Sequence, residues 1–420
     1  MLGCPTRMTA DVVASRHDTP LDLESLMFFT GNQKSDDPAS GSSRHGWPLV
    51  VLGVFILVMG CQSEDSNGSK SALQMYYETL MTDVSTWGYN NGEWTEDFGD
   101  GAAFGAMYFA NVAASGGDAQ HLDYATETRT YNLSVVKQAG DDLGWALENL
   151  EEVFMASQGL LEYAGLFEDD EAVQALDVLI DNVMDPVVIG FGNYVDASLG
   201  DFAADLYGPT AITAGLVVIY TQYALRLQTP QRMKRIDRAV EILDVIHEQA
   251  WDEDGSRYVF RPGVERLFLY PNGTMLIALN RVYQLTGQDR FLDRAKATFN
   301  GIQPLRKEKG YYQSPYSQEY QGAMTDEYGT LSAQNYLTIG LLLMHQNTGD
   351  EIYLAEAVTL INFVRTRLYD ASARKLLHHW IDGRPALETD PDYFCSGCNL
   401  QVLYIIWYLQ NEIGYDLNAA

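Results

Sequence analysis

One short phrase recurs along this chain. Thr286-Gly287-Gln288-Asp289 leads into Arg290-Phe291-Leu292-Asp293-Arg294-Ala295, and Thr348-Gly349-Asp350-Glu351 into Ile352-Tyr353-Leu354-Ala355-Glu356-Ala357. Gly116-Gly117-Asp118 leads into Ala119-Gln120-His121-Leu122-Asp123-Tyr124-Ala125. Leu and Ala keep the same offsets after Gly117, Gly287 and Gly349. A glycine able to take positive φ ends one helix and a polar residue caps the next. The unit is a tight helix–helix hairpin, and its repetition constrains the architecture more than any single residue does.

Two kinds of helix alternate between these turns. In one, Ile236, Ala239, Val240, Leu243, Ile246 and Ala250 recur at helical spacing, opposite Lys234, Asp237, Arg238 and Glu241. The other kind, Pro209 to Leu225 and Leu400 to Leu409, is apolar almost all round, the pattern of a helix buried on every face. Half-buried and wholly buried helices in alternation describe two concentric layers. Inner helices are expected near 101–116, 142–165, 208–226, 272–286, 331–348 and 397–412, and outer ones near 118–138, 169–184, 231–250, 288–302 and 350–369. Ala72 to Trp87 supplies the sixth outer helix. The fold class is all-α, an (α/α)6 toroid of six helical hairpins. An open solenoid is the alternative, but it would expose apolar surface on its end repeats.

Inner-to-outer turns are short, including Gln228 to Pro230 with Thr229 as cap and Pro230 at the first helical position. Several outer-to-inner connections are long: Gly88 to Asp100, Asp185 to Gly208, Trp251 to Pro271, Ile302 to Thr330 and Asp370 to Ser396. In a ring of hairpins they share one face, where the inner helices present their positive dipole ends. Adaptable loops on a rigid support are where sites are built.

The N-terminal region reads differently. Residues 1–46 lack periodicity. Trp47 to Met59 is an apolar run long enough for a signal-peptide core and short of a spanning helix. Val58-Met59-Gly60-Cys61 resembles the lipobox of bacterial lipoproteins, which implies a lipid on Cys61 and a place in the cell envelope, the outer membrane over the inner. Domains are expected at 1–60 (signal peptide with an upstream extension), 61–70 (lipidated cysteine and tether) and 71–420 (toroid). The net charge of −30 includes no evident basic patch, which argues against nucleic acid as a partner. The remaining cysteines, Cys395 and Cys398, suit a local disulfide or two structural thiols. A redox pair and a zinc half-site with His378 and His379 are the alternatives.

The long connections are aromatic and acidic. Trp94 and Asp97 lie in one, and Tyr312, Tyr316, Asp326 and Glu327 in another. Aromatic faces beside carboxylates suit sugars, and they equally suit loops pinned to a barrel. The sharpest local signal is Asp141-Asp142-Leu143-Gly144-Trp145 at the start of the second inner helix. Two carboxylates about 5–5.5 Å apart can divide retaining glycoside hydrolysis, one attacking the sugar and one protonating the leaving oxygen. The same residues also suit a helix start, with Asp141 as N-cap and Asp142 in the first turn.

Asp-Asp-x-x-Trp in this place resembles glycoside hydrolase family 76, the endo-α-1,6-mannanases of the six-hairpin glycosidase fold. Tyr270-Pro271-Asn272-Gly273 is similar to that family's Tyr-Asn-x-Gly at the start of a later inner helix. The hairpin phrase is shared with toroids such as N-acylglucosamine 2-epimerase-like proteins and speaks for fold only. The resemblance implies Asp141 as nucleophile and Asp142 as acid/base, with Trp145, Tyr270 and the loop residues above binding a polysaccharide or glycan, and no cofactor or metal. The family carries a loop before its acid pair, whereas Ser134 to Gly140 here looks like a helix end. Alternative readings are a non-catalytic glycan-binding lipoprotein and a sugar epimerase using His378 and His379 before Trp380.

Overall fold

The fold follows from which helices touch. In the computed structural model the described residues are 70–87, 98–117, 119–195, 208–264, 267–314, 329–372, 374–381, 384–385 and 395–419. They form α1 (Ala72–Trp87), α2 (Phe98–Ala114), α3 (Ala119–Asp141), α4 (Leu143–Glu148), α5 (Leu150–Phe167), α6 (Asp170–Leu179), α7 (Asp185–Gly190), α8 (Gly208–Arg226) and α9 (Arg232–Ala250). They continue with α10 (Leu269–Thr286), α11 (Asp289–Gly301), α12 (Leu331–Thr348), α13 (Glu351–Phe363) and α14 (Ser396–Asn411). Helices α2, α5, α8, α10, α12 and α14 each pack on the next, and α14 packs on α2, so the inner ring closes. The outer helices α1, α3, α6, α9, α11 and α13 back α14, α2, α5, α8, α10 and α12 respectively. This is the (α/α)6 toroid, and contact between α14 and α2 excludes the open solenoid. The ring lies wholly within one unit, Gly68–Ala420, and buries its own core there. Among the described residues no helix is long and apolar enough to cross a membrane. Residues 1–69, with the apolar run and Cys61, lie outside the described residues.

The repeated phrase behaves as read at two of its three positions. Gly287 (φ 64°) and Gly349 (φ 70°) end α10 and α12 in the left-handed region, donating to the carbonyls of Tyr283 and His345. Asp350 then caps α13 by accepting from the Ile352 N–H at 3.1 Å, while Gln288 makes no such side-chain bond. In the earlier copy Gly116, not Gly117, takes positive φ. Gly117 is needed for space, since a Cβ there would lie 2.8 Å from Val112. The Thr229–Pro230 cap is displaced as well: α9 starts at Arg232 after Gln231, and the Thr229 hydroxyl instead bonds Tyr223.

Inner helices meet closely at small residues. A Cβ on Gly159 would sit 2.7 Å from the Ala103 carbonyl oxygen, one on Gly340 2.8 Å from Leu276, and one on Gly273 3.0 Å from the Leu337 nitrogen. The amphipathic outer pattern is also as expected, with Ile236, Ala239, Leu243 and Ile246 buried.

The long connections are not wholly irregular. They carry short antiparallel pairs: β1 (Trp251–Asp252) with β2 (Arg257–Tyr258), β4 (Tyr369–Asp370) with β5 (Lys375–Leu376), and β6 (His379–Ile381) between β3 (Gly329–Thr330) and β7 (Arg384–Pro385). Three are tied down by one device. The fourth residue of α10, α12 and α14 is Asn272, Gln334 and Asn399. Each amide grips the backbone N–H and C=O of one loop residue: Tyr258 (2.9 and 2.8 Å), Tyr312 (2.9 and 2.7 Å) and Leu376 (2.9 and 3.3 Å). Each clamp satisfies loop groups that burial would otherwise leave unpaired at a cost of about 1–3 kcal/mol each.

Candidate functional site

The ring encloses a cavity of about 390 Å³ along its axis, within the range typical of small-molecule sites. Its wall changes character along α5, α8, α10 and α12. Reading toward the C-terminus, α5 lines it with Leu150, Phe154, Gln158 and Glu162; α8 with Ile212, Val218, Gln222 and Arg226; α10 with Tyr270, Ile277, Arg281 and Gln284. On α12 Tyr336 and Ile339 give way to Gln346, and on α14 Gln401 precedes Tyr404, Tyr408 and Glu412 just beyond the helix. The inner helices are parallel, so the cavity is mainly apolar toward their N-termini, Thr274 and Gln401 excepted, and polar toward their C-termini. The all-apolar reading of these helices needs correction here. One face of each is wall, not core, and Gly215, Val218 and Ile339 are only half-buried in mid-helix.

The polar end is organised around Glu162, buried at 2% exposure. Its carboxylate pairs bidentately with Arg226, with Nε at 3.0 Å, and accepts from Asn111 Nδ2 at 2.7 Å and Gln222 Nε2 at 3.2 Å. Burial alone would lower the Arg226 pKa, but Glu162 more than compensates and the net shift is upward. Tyr404 is pushed well up, first by burial and then by the Glu162 charge. Tyr408 donates to Gln346 Oε1 at 2.9 Å. The half-buried Arg281 donates to Gln284 at 3.2 Å and forms no ion pair with a carboxylate among the described residues. Gln401, 1% exposed, has an Nε2 with no hydrogen-bond partner among them.

The residues singled out by sequence are placed unevenly. Tyr270 lines the cavity, its ring 4.9 Å from that of Tyr336. Asp141 ends α3 and Asp142 caps α4, and both are exposed. The Asp142 Oδ1 accepts from the Trp145 N–H at 3.1 Å, so the cap is Asp142, one residue later than expected. Neither aspartate nor the half-buried Trp145 lines the cavity. Tyr312 is fully buried between layers, where its hydroxyl accepts from Gln303 at 3.1 Å, and it does not reach the cavity. Burial makes it a loop anchor, and its neighbour Tyr311 stacks on Phe363 at 4.8 Å. Trp94, Asp97, Tyr316, Asp326 and Glu327 lie outside the described residues.

Cys395 and Cys398 are joined by a disulfide, with Cα atoms 5.3 Å apart at the start of α14. A nitrogen of the buried His378 lies within 4.8 Å of the two sulfurs. Sulfurs bonded to each other offer no thiolate to a metal, so the local disulfide replaces the zinc half-site. Among the described residues no histidine lines the cavity. The side chains of His379 and Trp380 lie outside the described residues.

Sequence reasoning missed Glu162, Arg226, Arg281 and Gln401. The available signal was polar residues at helical spacing, such as Gln158 and Glu162 or Arg281 and Gln284, on helices otherwise apolar.

The six-hairpin toroid class is also where structural comparison places the chain. It resembles a GH76 α-mannanase of Bacteroides thetaiotaomicron (14% identity, TM-score 0.56, 82% of this chain and 98% of that one). It also resembles a sugar epimerase from a ruminal bacterium (14%, TM-score 0.59, 82% and 100%) and an unsaturated glucuronyl hydrolase specific for heparin (12%, TM-score 0.58, 82% and 99%). At these identities the likeness is one of fold. No family model matches the sequence. The exodeoxyribonuclease 7 large subunit of Tolumonas auensis is 32% identical over 99 residues, covering 24% of this chain and 21% of that one. The chain thus spans about a fifth of that relative and takes no activity from it.

Proposed function

We propose that this chain is an exported carbohydrate-active protein, lipid-anchored through Cys61, that takes a polysaccharide or glycan at the N-terminal mouth of its inner ring. The observation that supports it is the cavity inside a closed ring, with Tyr270 in its wall and the long connections leading to the same ends of the inner helices. The three similar structures are named for work on sugars, which favours the same class. In the hydrolytic form of this reading, the Asp141 carboxylate attacks the anomeric carbon while Asp142 protonates the departing oxygen. Water, deprotonated by Asp142, then displaces the sugar from Asp141 with retained configuration. Asp141→Asn and Asp142→Asn should each slow glycan cleavage by about a hundredfold or more. A glycan array followed by product analysis is the test, and cleavage that survives both substitutions would falsify the assignment. A second reading, binding without turnover, is favoured by one observation: Asp142 is engaged as a helix cap on an exposed corner outside the cavity. Binding on the array with no product would decide for it. The anchor is tested separately, since palmitate incorporation should vanish in Cys61→Ala.

A further inference from the structure

Below the rings of Tyr270 and Tyr336 the deep cavity offers few hydrogen bonds. Its apolar stretch joins Phe104 and Phe154 to Met107, Met155, Ile212, Val218, Ile277 and Ile339, a mainly aliphatic and thioether lining that suits an alkyl chain. We propose that the C-terminal half of the ring binds a single-chain amphiphile with an anionic head, the head on Arg281 and the alkyl chain running toward Tyr270.

Two further observations carry this. First, Gly215 lies in mid-helix in the cavity wall, and its nearest contact for an added Cβ is Phe154 at 3.8 Å. Helix packing requires Gly159, Gly273 and Gly340, but nothing crowds Gly215. A mid-helix glycine costs stability, and here the gain is open volume. Second, Arg281 has no carboxylate partner among the described residues, in a chain with 57 acidic and 27 basic residues. The Glu162 charge is taken by Arg226, and Glu412 lies exposed at the rim. A carboxylate or phosphate head would supply the missing acceptor as a charge-assisted bond. Exposure of Gln346 and Glu412 gives this end access to solvent. The site does not depend on Asp141 or Asp142.

The test is titration calorimetry of the Gly68–Ala420 unit with laurate below its micelle concentration, beside dodecyl maltoside, which has the same chain length and a neutral head. Laurate should bind at one site. Arg281→Gln should weaken laurate about tenfold and leave the maltoside unchanged. Gly215→Leu should abolish binding of both while circular dichroism and the melting curve report an intact fold. Failure of laurate to bind the unsubstituted protein, full laurate binding in folded Gly215→Leu, or an equal response of both ligands to Arg281→Gln would each overturn the proposal.

Discussion

Arg235 and Arg281 sit in neighbouring hairpins and have opposite surroundings. Arg235 is fully buried in the outer layer. Its guanidinium meets Asp181 at 3.1 Å, Asp185 at 3.2 Å and Asp177 at 3.8 Å, and lies 5.5 Å from the Tyr223 ring centre. The three aspartates follow one another at intervals of four, Asp177 in α6, Asp181 in the π-helical turn Ile180–Met184 and Asp185 at the start of α7, and all three turn toward Arg235. Tyr220 and Lys234 satisfy Asp185 further, at 2.7 and 2.9 Å. Arg281 has a cavity before it, an amide hydrogen-bonded to it and, among the described residues, no carboxylate in an ion pair with it. A saturated buried charge holds two elements together. A half-buried charge left short of acceptors faces the place where an acceptor can arrive.

The largest expected effect is on the saturated side. Arg235→Met should lower the unfolding free energy by about 3 kcal/mol, because it removes the buried cation on which Asp177, Asp181 and Asp185 converge, as read by guanidinium denaturation. Arg281→Met should change it by no more than about 0.5 kcal/mol; equal losses would erase the distinction. Glu162→Gln should fall between, at about 2 kcal/mol, since it leaves a partly exposed Arg226 without its charge partner. The smallest effect concerns acid. Burial raises the Asp181 pKa, but Lys234 and Arg235 outweigh it and the folded value lies below the ordinary 3.8 of an aspartate. The unfolded chain therefore binds the proton first. The contribution of Asp181 is complete above pH 3.8 and disappears as pH falls through the lower folded value. With Asp181 partly exposed, the difference from Asp181→Asn should stay under about 1 kcal/mol at pH 6 and vanish in strong acid. A difference that widens in acid would mean that the sign is wrong.

The ring was legible because its determinants are local. Gly287 and Gly349 announce helix ends, and the alternation of apolar and amphipathic helices announces two layers. The site was less so because its determinants are not local. Asp141 and Asp142 stand out by being adjacent, yet adjacency brings two side chains near each other and says nothing of what they face. Glu162 and Arg226 are 64 residues apart in the chain and meet only once the ring has formed. Tyr312 shows a related ambiguity. A tyrosine in a long connection reads the same whether its ring reaches outward or anchors the loop, and here the ring is buried with its hydroxyl accepting from Gln303.

The amides at Asn272, Gln334 and Asn399 hold main chain and ignore the side chains of the segments they secure. Residues between the anchoring points can therefore change identity without loosening the scaffold that carries them. A transplanted connection that preserved the anchor spacing should inherit the same footing. Diversification at the rim of this barrel is thus uncoupled from the stability of the wheel beneath it.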